Sequence, residues 1–215
     1  MERYEDPDRI YSYSYKADNK SIVDRLFMNR WYGFAIRAVP PRLSANGVSM
    51  IGNLGSWFAF LVLSGLVFGP APVFAKERPW IFALVGLGLL FYQTLDALDG
   101  LQARRLGTSG PLGEFVDHWF DSLNVFILPF GVCMAFPSVP PFLGLTLVLL
   151  ATLTDWIELR RVKETNTLDF GYLSSEEATM AAYLFYFSIP IVGYDFWASP
   201  VAGLGLPPIF FILLA

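Results

Sequence analysis

Five carboxylates and the only histidine of the chain fall within residues 95–121, LDALDGLQARRLGTSGPLGEFVDHWFD. These ionisable residues are Asp96, Asp99, Glu114, Asp117, His118 and Asp121. Ionised carboxylates in or near an apolar helix are costly, and they persist mainly where they are paired, bound to a metal or facing water. This segment is therefore the candidate for a functional site.

The acidic residues form two stripes if the flanking segments are helices, because residues at i, i+3, i+4 and i+7 share one helix face. The first stripe comprises Asp96, Asp99, Gly100 and Ala103. The second comprises Glu114, Asp117, His118 and Asp121. Residues 105–112 (RLGTSGPL) contain two glycines and a proline, which predicts a tight turn. The turn would bring the four aspartates around one pocket, and the small residues Gly100, Ala103 and Gly113 would let the helices approach closely.

Four carboxylates at close range indicate bound cations, because they cannot all stay ionised without positive charge. Oxygen ligands suit Mg²⁺, Mn²⁺ or Ca²⁺ rather than zinc, and Mg²⁺ commonly shares its ligand shell with substrate phosphates. Arg104 follows the first stripe and offers a guanidinium suited to phosphate. The pattern predicts metal-assisted chemistry at a phosphoryl group. The alternative, aspartates merely solvated at helix ends, does not explain why the two stripes are in register.

The composition excludes an ordinary soluble domain. The 215 residues are 54% hydrophobic and only 16% charged, whereas soluble domains have about 25% charged residues. Cys133 is the single cysteine, so no disulfide framework exists. The polar start of the chain lacks the apolar stretch of a cleavable signal peptide, and none is expected.

Apolar blocks of the length needed to cross a membrane, about 20 helical residues, recur along the chain. Five lie near residues 46–69, 79–101, 114–136, 141–158 and 178–198. A sixth block, 201–215, is short and contains two prolines. The predicted fold class is therefore all-α, a polytopic integral membrane protein with about six transmembrane helices.

Three regions are predicted along the chain. Residues 1–20 are polar and rich in tyrosine, and residues 42–215 form one membrane domain. Between them, 21–41 is a basic amphipathic helix with Trp and Tyr, typical of a helix lying in the membrane interface. It would start at a capping box formed by Ser21 and Asp24 and would stop at the proline pair. The alternative for this helix is packing on the protein itself.

The cations predict the orientation. If the spans alternate, all of the fifteen lysines and arginines except Lys76 and Arg78 share one side. The positive-inside rule places that side, with the amino terminus and the aspartates, in the cytoplasm.

The spacing Asp96-x2-Asp99-Gly100-x2-Ala103-Arg104-x8-Gly113-x3-Asp117-x3-Asp121 resembles the signature of the CDP-alcohol phosphotransferase family at every defined position. The resemblance implies a six-helix, homodimeric membrane fold and two divalent cations, Mg²⁺ or Mn²⁺, held by the four aspartates. It also implies transfer of a substituted phosphate from a CDP-alcohol to another alcohol, with release of CMP. The remaining signature residues would contact the substrate, namely Gly100, Ala103, Arg104 and Gly113.

Segments around the signature, QTLDALDGLQARR and SGPLGEFVDHWFDSLN, are similar to eukaryotic-type choline and ethanolamine phosphotransferases. This similarity implies CDP-choline or CDP-ethanolamine as donor, diacylglycerol from the membrane lipids as acceptor, and no nucleic-acid partner. SANGVS (44–49) resembles the polar start of their first span, where Asn46 and Ser49 would hold the cytidine. Leu101 and the pair Trp119-Phe120 depart from the pattern. The expected location is the endoplasmic reticulum or Golgi in a eukaryote and the inner membrane in a bacterium.

Two residues are candidates for the base that takes the proton of the acceptor hydroxyl. His118 is one, because histidine is the side chain best suited to exchange a proton near neutral pH. Glu114 lies one turn earlier and could orient the imidazole, and choline and ethanolamine members carry the same Glu-x2-Asp-His. In the wider family the last aspartate, here Asp121, has that role, so both candidates stay open.

Two other functions are alternatives for a membrane protein with these carboxylates. In the first, CDP-diacylglycerol donates a phosphatidyl group to a soluble alcohol such as glycerol phosphate, inositol phosphate or serine. That reaction with a phosphorylated acceptor needs a further basic site, and no cationic cluster lies inside the spans. In the second, the chain is a cation transporter, which predicts acids near the middle of the membrane rather than at the cytoplasmic ends of spans.

Overall fold

Helices make up most of the protein in a computed structural model that describes residues 16–18, 28–165, 167–169, 175–201 and 207–208. The α-helices of these residues are α1 Asn29–Ala35, α2 Ala45–Leu63, α3 Ala71–Glu77, α4 Ile81–Leu106, α5 Pro111–Ala135, α6 Pro141–Thr165, α7 Ser175–Val192 and α8 Tyr194–Ala198. One 3-10 turn, Ile36–Ala38, follows α1. Two short strands, β1 Lys16–Asp18 and β2 Thr167–Asp169, pair in parallel. In the described ranges the secondary structure is thus helical apart from this one pair of strands.

Five of the helices correspond to the five predicted spans, but some ends differ. The first span was expected to reach residue 69, whereas α2 ends at Leu63 because Gly65 and Gly69 adopt φ of 80° and 81°, which a helix does not allow. The short helix α3 was not predicted. The fifth span breaks at Gly193, with φ of 101°. Most of the sixth block and the capping box near residue 21 lie outside the described residues.

Among the described helices, α2 and α4 are long and apolar enough to cross a membrane. Half of each apolar stretch is buried inside the protein. Their other faces expose large apolar side chains, among them Leu54, Leu87 and Phe91. Such extended exposed apolar surface suits contact with lipid.

The helices α2 and α4 approach each other closely at glycines. A Cβ atom on Gly55 would clash with the carbonyl oxygen of Gly88, and one on Gly88 would lie 2.8 Å from that of Gly55. Gly52 faces the Cβ of Leu95 in the same way. Small residues of this kind let helix backbones meet in membranes. Since α2 also contacts α5 and α4 also contacts α7, the α2–α4 pair is the centre of the bundle.

Replacing Gly55 with alanine is expected to destabilise the protein by about 1–3 kcal/mol, the usual effect of overpacking. The added Cβ would meet a backbone carbonyl, which cannot rotate away as a side chain can. Thermal unfolding of the purified protein in detergent measures the effect. Gly33→Ala is the control, because a Cβ there meets nothing within 4 Å. An unchanged melting temperature for Gly55→Ala would contradict this account of the helix contact.

Two apolar clusters hold the bundle. The larger one lies away from the aspartates, where Phe82 stacks on Tyr186 and Tyr194. The smaller one joins α1 to α2 and α4, and it contains Met28, Tyr32, Val39, Val48 and Leu98.

The helix α1 has two different faces. Tyr32 is buried in the smaller cluster, and the Trp31 indole donates a hydrogen bond to Thr94 of α4 at 2.9 Å. Trp31 and Phe34 nevertheless keep 43% and 67% of their surface exposed. The helix therefore packs on the protein with one face and leaves an aromatic face available to the membrane interface.

Candidate active site

A turn of four residues, 107–110, rather than a long loop, connects the two helices that carry the aspartates. Helix α4 ends at Leu106, and the following Gly107 has a φ of 64° that allows the Thr108 N–H to bond the carbonyl of Ala103 at 3.0 Å. This is the glycine-based stop common at helix ends. Pro111 then opens α5, a position that proline favours. The predicted tight turn is confirmed, and it brings the carboxyl end of α4 beside the amino end of α5.

The turn brings the two stripes together. Carboxylate oxygens of Asp96, Asp99 and Asp117 lie within 4.8 Å of one another. Oxygens of Asp117 and Asp121 and a ring nitrogen of His118 satisfy the same limit. We call Asp96, Asp99, Asp117 and Asp121 the acidic cluster. Asp117 belongs to both groups and so links its two halves.

The acidic cluster fits a hard divalent cation. In the part of the chain that the structure describes, no lysine or arginine forms an ion pair with these four aspartates. Burial and mutual repulsion both disfavour four negative charges at this distance. Carboxylate oxygens are the ligands that Mg²⁺, Mn²⁺ and Ca²⁺ prefer. A bound cation would balance this charge.

Arg104 lies beside the acidic cluster without pairing with it. Its guanidinium folds back along α4, 3.6 Å from where a Cβ on Gly100 would lie, and it attracts the Asp99 carboxylate electrostatically. No other helix approaches Gly100 in the described structure. The expectation that Gly100 serves close helix packing is therefore wrong. The arginine guanidinium is at ordinary van der Waals distance from that Cβ position, and Ala103 lies half-buried on the next turn.

Helix α2 supplies the two polar residues expected to hold the donor. The Ser49 hydroxyl donates a hydrogen bond to Oδ2 of Asp99, and the side chain is buried. The Asn46 amide oxygen lies 3.8 Å from the position of a Cβ on Gly113, at the start of α5. Asn46 and Gly113 therefore border the same end of the site, whereas the Ser49 hydroxyl is engaged by an aspartate.

His118 and Glu114 lie on the same face of α5, and both are half-buried. Their side chains attract each other electrostatically. No hydrogen bond joins them among the residues described, so the predicted contact between carboxylate and imidazole is not made in this conformation. The imidazole is accessible and lies against Asp117 and Asp121.

Several polar contacts around the acidic cluster were not predicted from the sequence. The Tyr92 hydroxyl donates to Oδ1 of Asp121 at 3.1 Å. Three buried residues, Asn53, Ser56 and Asn124, hydrogen-bond to one another below the cluster. The sequence does carry a signal for them, because polar residues recur on α2 at positions 46, 49, 53 and 56, a helical stripe.

Helices α6 and α7 add carboxylates at the border of the site. Glu176, in the first turn of α7, repels Asp96 and Asp121 electrostatically. Gln93 of α4 holds this turn by donating to the Glu176 carbonyl at 3.2 Å. Asp155 of α6 accepts a hydrogen bond from Ser122 at 3.0 Å. The site is thus strongly negative on several sides, which favours cationic ligands.

A cavity of about 320 Å³ lies elsewhere, between α3, the end of α7 and α8. Its lining includes Lys76, Pro190 and Asp195 but no residue of the acidic cluster. The acidic cluster therefore lies outside this cavity, beside the α4–α5 turn.

Curated relatives resemble the chain over most of its length. It is 28% identical over 204 residues to cholinephosphotransferase 1 of Danio rerio, covering 92% of this chain and 51% of that protein. It is 31% identical over 150 residues to cholinephosphotransferase 1 of Gallus gallus, covering 69% and 40%. Choline/ethanolaminephosphotransferase 1 of Saccharomyces cerevisiae is 34% identical over 119 residues, covering 54% and 29%. The chain spans about half the length of the first of these relatives, and less of the others.

The CDP-alcohol phosphatidyltransferase family matches residues 43–201. The matched region runs from the residues before α2 to the end of α8, and it contains the acidic cluster, Arg104 and His118. This match confirms the resemblance found in the signature. The chain belongs to the CDP-alcohol phosphatidyltransferase family of membrane-bound enzymes, which use divalent metal ions.

Proposed function

We propose that the protein transfers phosphocholine or phosphoethanolamine from a CDP-alcohol to the hydroxyl of diacylglycerol. The hydroxyl oxygen bonds to the phosphorus that bears the head group, and the bond from that phosphorus to the oxygen of CMP breaks. The proton of the hydroxyl passes to a base of the protein. The observation that carries the proposal is the acidic cluster at the α4–α5 turn, in a chain similar to cholinephosphotransferases.

The four aspartates would hold two divalent cations, Mg²⁺ or Mn²⁺. When bound, such cations neutralise charge on the pyrophosphate and on the departing CMP. Ser49 and Tyr92 support the aspartates, since each donates a hydrogen bond to one carboxylate. Partners of this kind fix the orientation of a ligand.

Arg104 and α2 would bind the donor. The Arg104 guanidinium, free to turn away from Gly100, would contact phosphate oxygens, a role that its planar fork of donors suits. Asn46 and Gly113 would lie against the cytidine, since they border one end of the site. Ser49 would act on the donor through Asp99, whose carboxylate it orients.

His118, oriented by Glu114, would be the base, with Asp121 as the alternative. Asp121 accepts a hydrogen bond from Tyr92 and would also be a metal ligand, so its oxygens would be occupied. The His118 ring is half-exposed and adjoins the same carboxylates. A base must reach the hydroxyl from the pocket where the phosphate lies, and this position suits it.

The membrane arrangement is part of the proposal. Residues 42–215 would form six spans, with the acidic cluster on the cytoplasmic side of the endoplasmic reticulum, Golgi or bacterial inner membrane, and the protein would act as a homodimer. Residues 21–41 would lie in the interface. The exposed Trp31 and Phe34 support that position, because a helix with Trp and Phe on its exposed face favours the membrane interface.

A substrate panel tests the proposed reaction. Purified protein is given labelled CDP-choline, CDP-ethanolamine or CDP-diacylglycerol, with diacylglycerol or a soluble alcohol and with Mg²⁺ or Mn²⁺. We expect phosphatidylcholine or phosphatidylethanolamine to form together with one CMP per lipid. Release of one CDP or one free phosphate per lipid, in place of CMP, would contradict the proposal. Product only from CDP-diacylglycerol would reverse the roles of the substrates, and cation flux without CMP would indicate a transporter.

A further inference from the structure

Below the acidic cluster, neutral side chains join α2 to α5. The Asn124 amide donates to Oδ1 of Asn53 at 2.8 Å, and its own oxygen accepts from the Ser56 hydroxyl at 2.9 Å. Asn53, Ser56 and Asn124 are 1%, 0% and 3% exposed. We call these three residues the amide network. None of them contacts a substrate in the proposed reaction, so their burial needs another explanation.

The amide network is connected to both halves of the acidic cluster. On α2, Asn53 donates to the Ser49 carbonyl at 2.9 Å, and Ser49 bonds Asp99 of α4. On α5, Asn124 follows Asp121 by three residues, about 4.5 Å along the helix. The amide network therefore connects Asp99 of α4, through α2, to α5, the helix that carries Asp117 and Asp121.

These bonds allow one alignment of α5 against α2. A buried amide without partners costs free energy in an apolar interior, and in a membrane water cannot replace the missing bonds. Moving α5 by one residue would separate Asn124 from both of its partners on α2. A single buried asparagine selects the register of packed helices in coiled coils in the same way. The contact between Gly55 and Gly88 already fixes α2 against α4.

We propose that Asn124 is a positioning residue that, through Asn53 and Ser56, sets the separation between the α4 and α5 aspartates and so makes the acidic cluster selective for Mg²⁺ over Ca²⁺. Mg²⁺ requires nearly octahedral ligands at about 2.0–2.1 Å, whereas Ca²⁺ accepts about 2.3–2.6 Å and irregular geometry. If the α4 and α5 aspartates are no longer held at a fixed separation, the site therefore loses affinity for Mg²⁺ more than for Ca²⁺. The inference rests on the proposed metal-binding function.

Metal binding without substrate tests the inference. Mn²⁺ binding to the purified protein is followed by electron paramagnetic resonance, and Mg²⁺ and Ca²⁺ are titrated as competitors. In Asn124→Leu, which keeps the size of the side chain but not its hydrogen bonds, we expect Mg²⁺ affinity to fall about 10-fold, the lower limit for groups that bond a metal ligand directly, because Asn124 acts on Asp99 through Asn53 and Ser49. Ca²⁺ affinity should fall much less, so the Mg²⁺/Ca²⁺ ratio changes. Asn53→Ser should change the Mg²⁺/Ca²⁺ ratio in the same direction, and this variant tests the inference if Asn124→Leu does not fold.

Tyr194→Phe is the matched control. It removes a buried hydrogen bond, 2.7 Å from the Tyr194 hydroxyl to the Ala135 carbonyl, at the opposite end of α5. Its Mg²⁺/Ca²⁺ ratio should stay at the wild-type value. An unchanged ratio in folded Asn124→Leu and Asn53→Ser, or an equal loss of both metals, would overturn the inference and leave the proposed function intact. A wild-type protein that binds no divalent cation would overturn both.

Discussion

Asp99→Asn and Asp117→Asn are each expected to reduce transfer below detection. Asparagine keeps the shape of the side chain and removes one negative charge from the acidic cluster, where the carboxylates lie within 4.8 Å of one another. Losing an outer partner of a metal ligand commonly costs about 10–100-fold in activity or affinity, and losing a ligand itself should cost more. Formation of labelled phospholipid measures the effect. Chelation of divalent cations should reversibly abolish phospholipid formation by the wild-type protein.

Thermal unfolding separates this loss from misfolding. Without metal, each variant should be at least as stable as the wild type, because one of several repelling buried charges is gone. Adding divalent cation should stabilise the wild type, by about 2.7 kcal/mol at a hundred times the dissociation constant, and should stabilise the variants much less. Asp195→Asn, at an exposed position of α8, is the control and should keep both activity and the stabilisation. Full activity after chelation would contradict the role of metals.

The position of the acidic cluster could be predicted because it depends on local features. Helical spacing fixes which residues of α4 share a face, and the glycines and proline of 105–112 fix a short turn. The register of the two stripes then follows without knowledge of the rest of the fold. The bounds of α5 were predicted to within a few residues for the same reason, since Pro111 marks its start.

The surroundings of the cluster depend on contacts between distant parts of the chain. Asn53 and Asn124 are separated by 71 positions, and nothing in a single sequence shows that the polar stripe of α2 faces α5. The end of α2 was misplaced because residues 64–69 are as apolar as a helix but contain two glycines with positive φ. Apolarity predicts burial in lipid or protein, and it does not predict backbone conformation.

Replacing His118 with alanine is expected to slow turnover by about 10²–10⁴-fold, the usual contribution of a positioned general base. The variant should bind divalent cation and CDP-alcohol nearly as the wild type does, because the four aspartates and Arg104 remain. Single-turnover transfer measures the rate, and Mn²⁺ binding and donor binding are measured separately. Glu114→Gln should cost less, since it removes only the group that would orient the imidazole.

Two further measurements distinguish a base from a residue that merely fills space. Added imidazole should restore part of the activity of His118→Ala, because it can enter the half-exposed position of the lost ring and accept the proton. Val116→Ala, a truncation on the opposite side of the same turn, should keep nearly full activity with or without imidazole. Near-wild-type turnover by His118→Ala would assign the base to Asp121 or water. Loss of donor binding in that variant would make His118 a residue that holds the substrate, because a base that acts only on the acceptor proton makes no contribution to donor affinity.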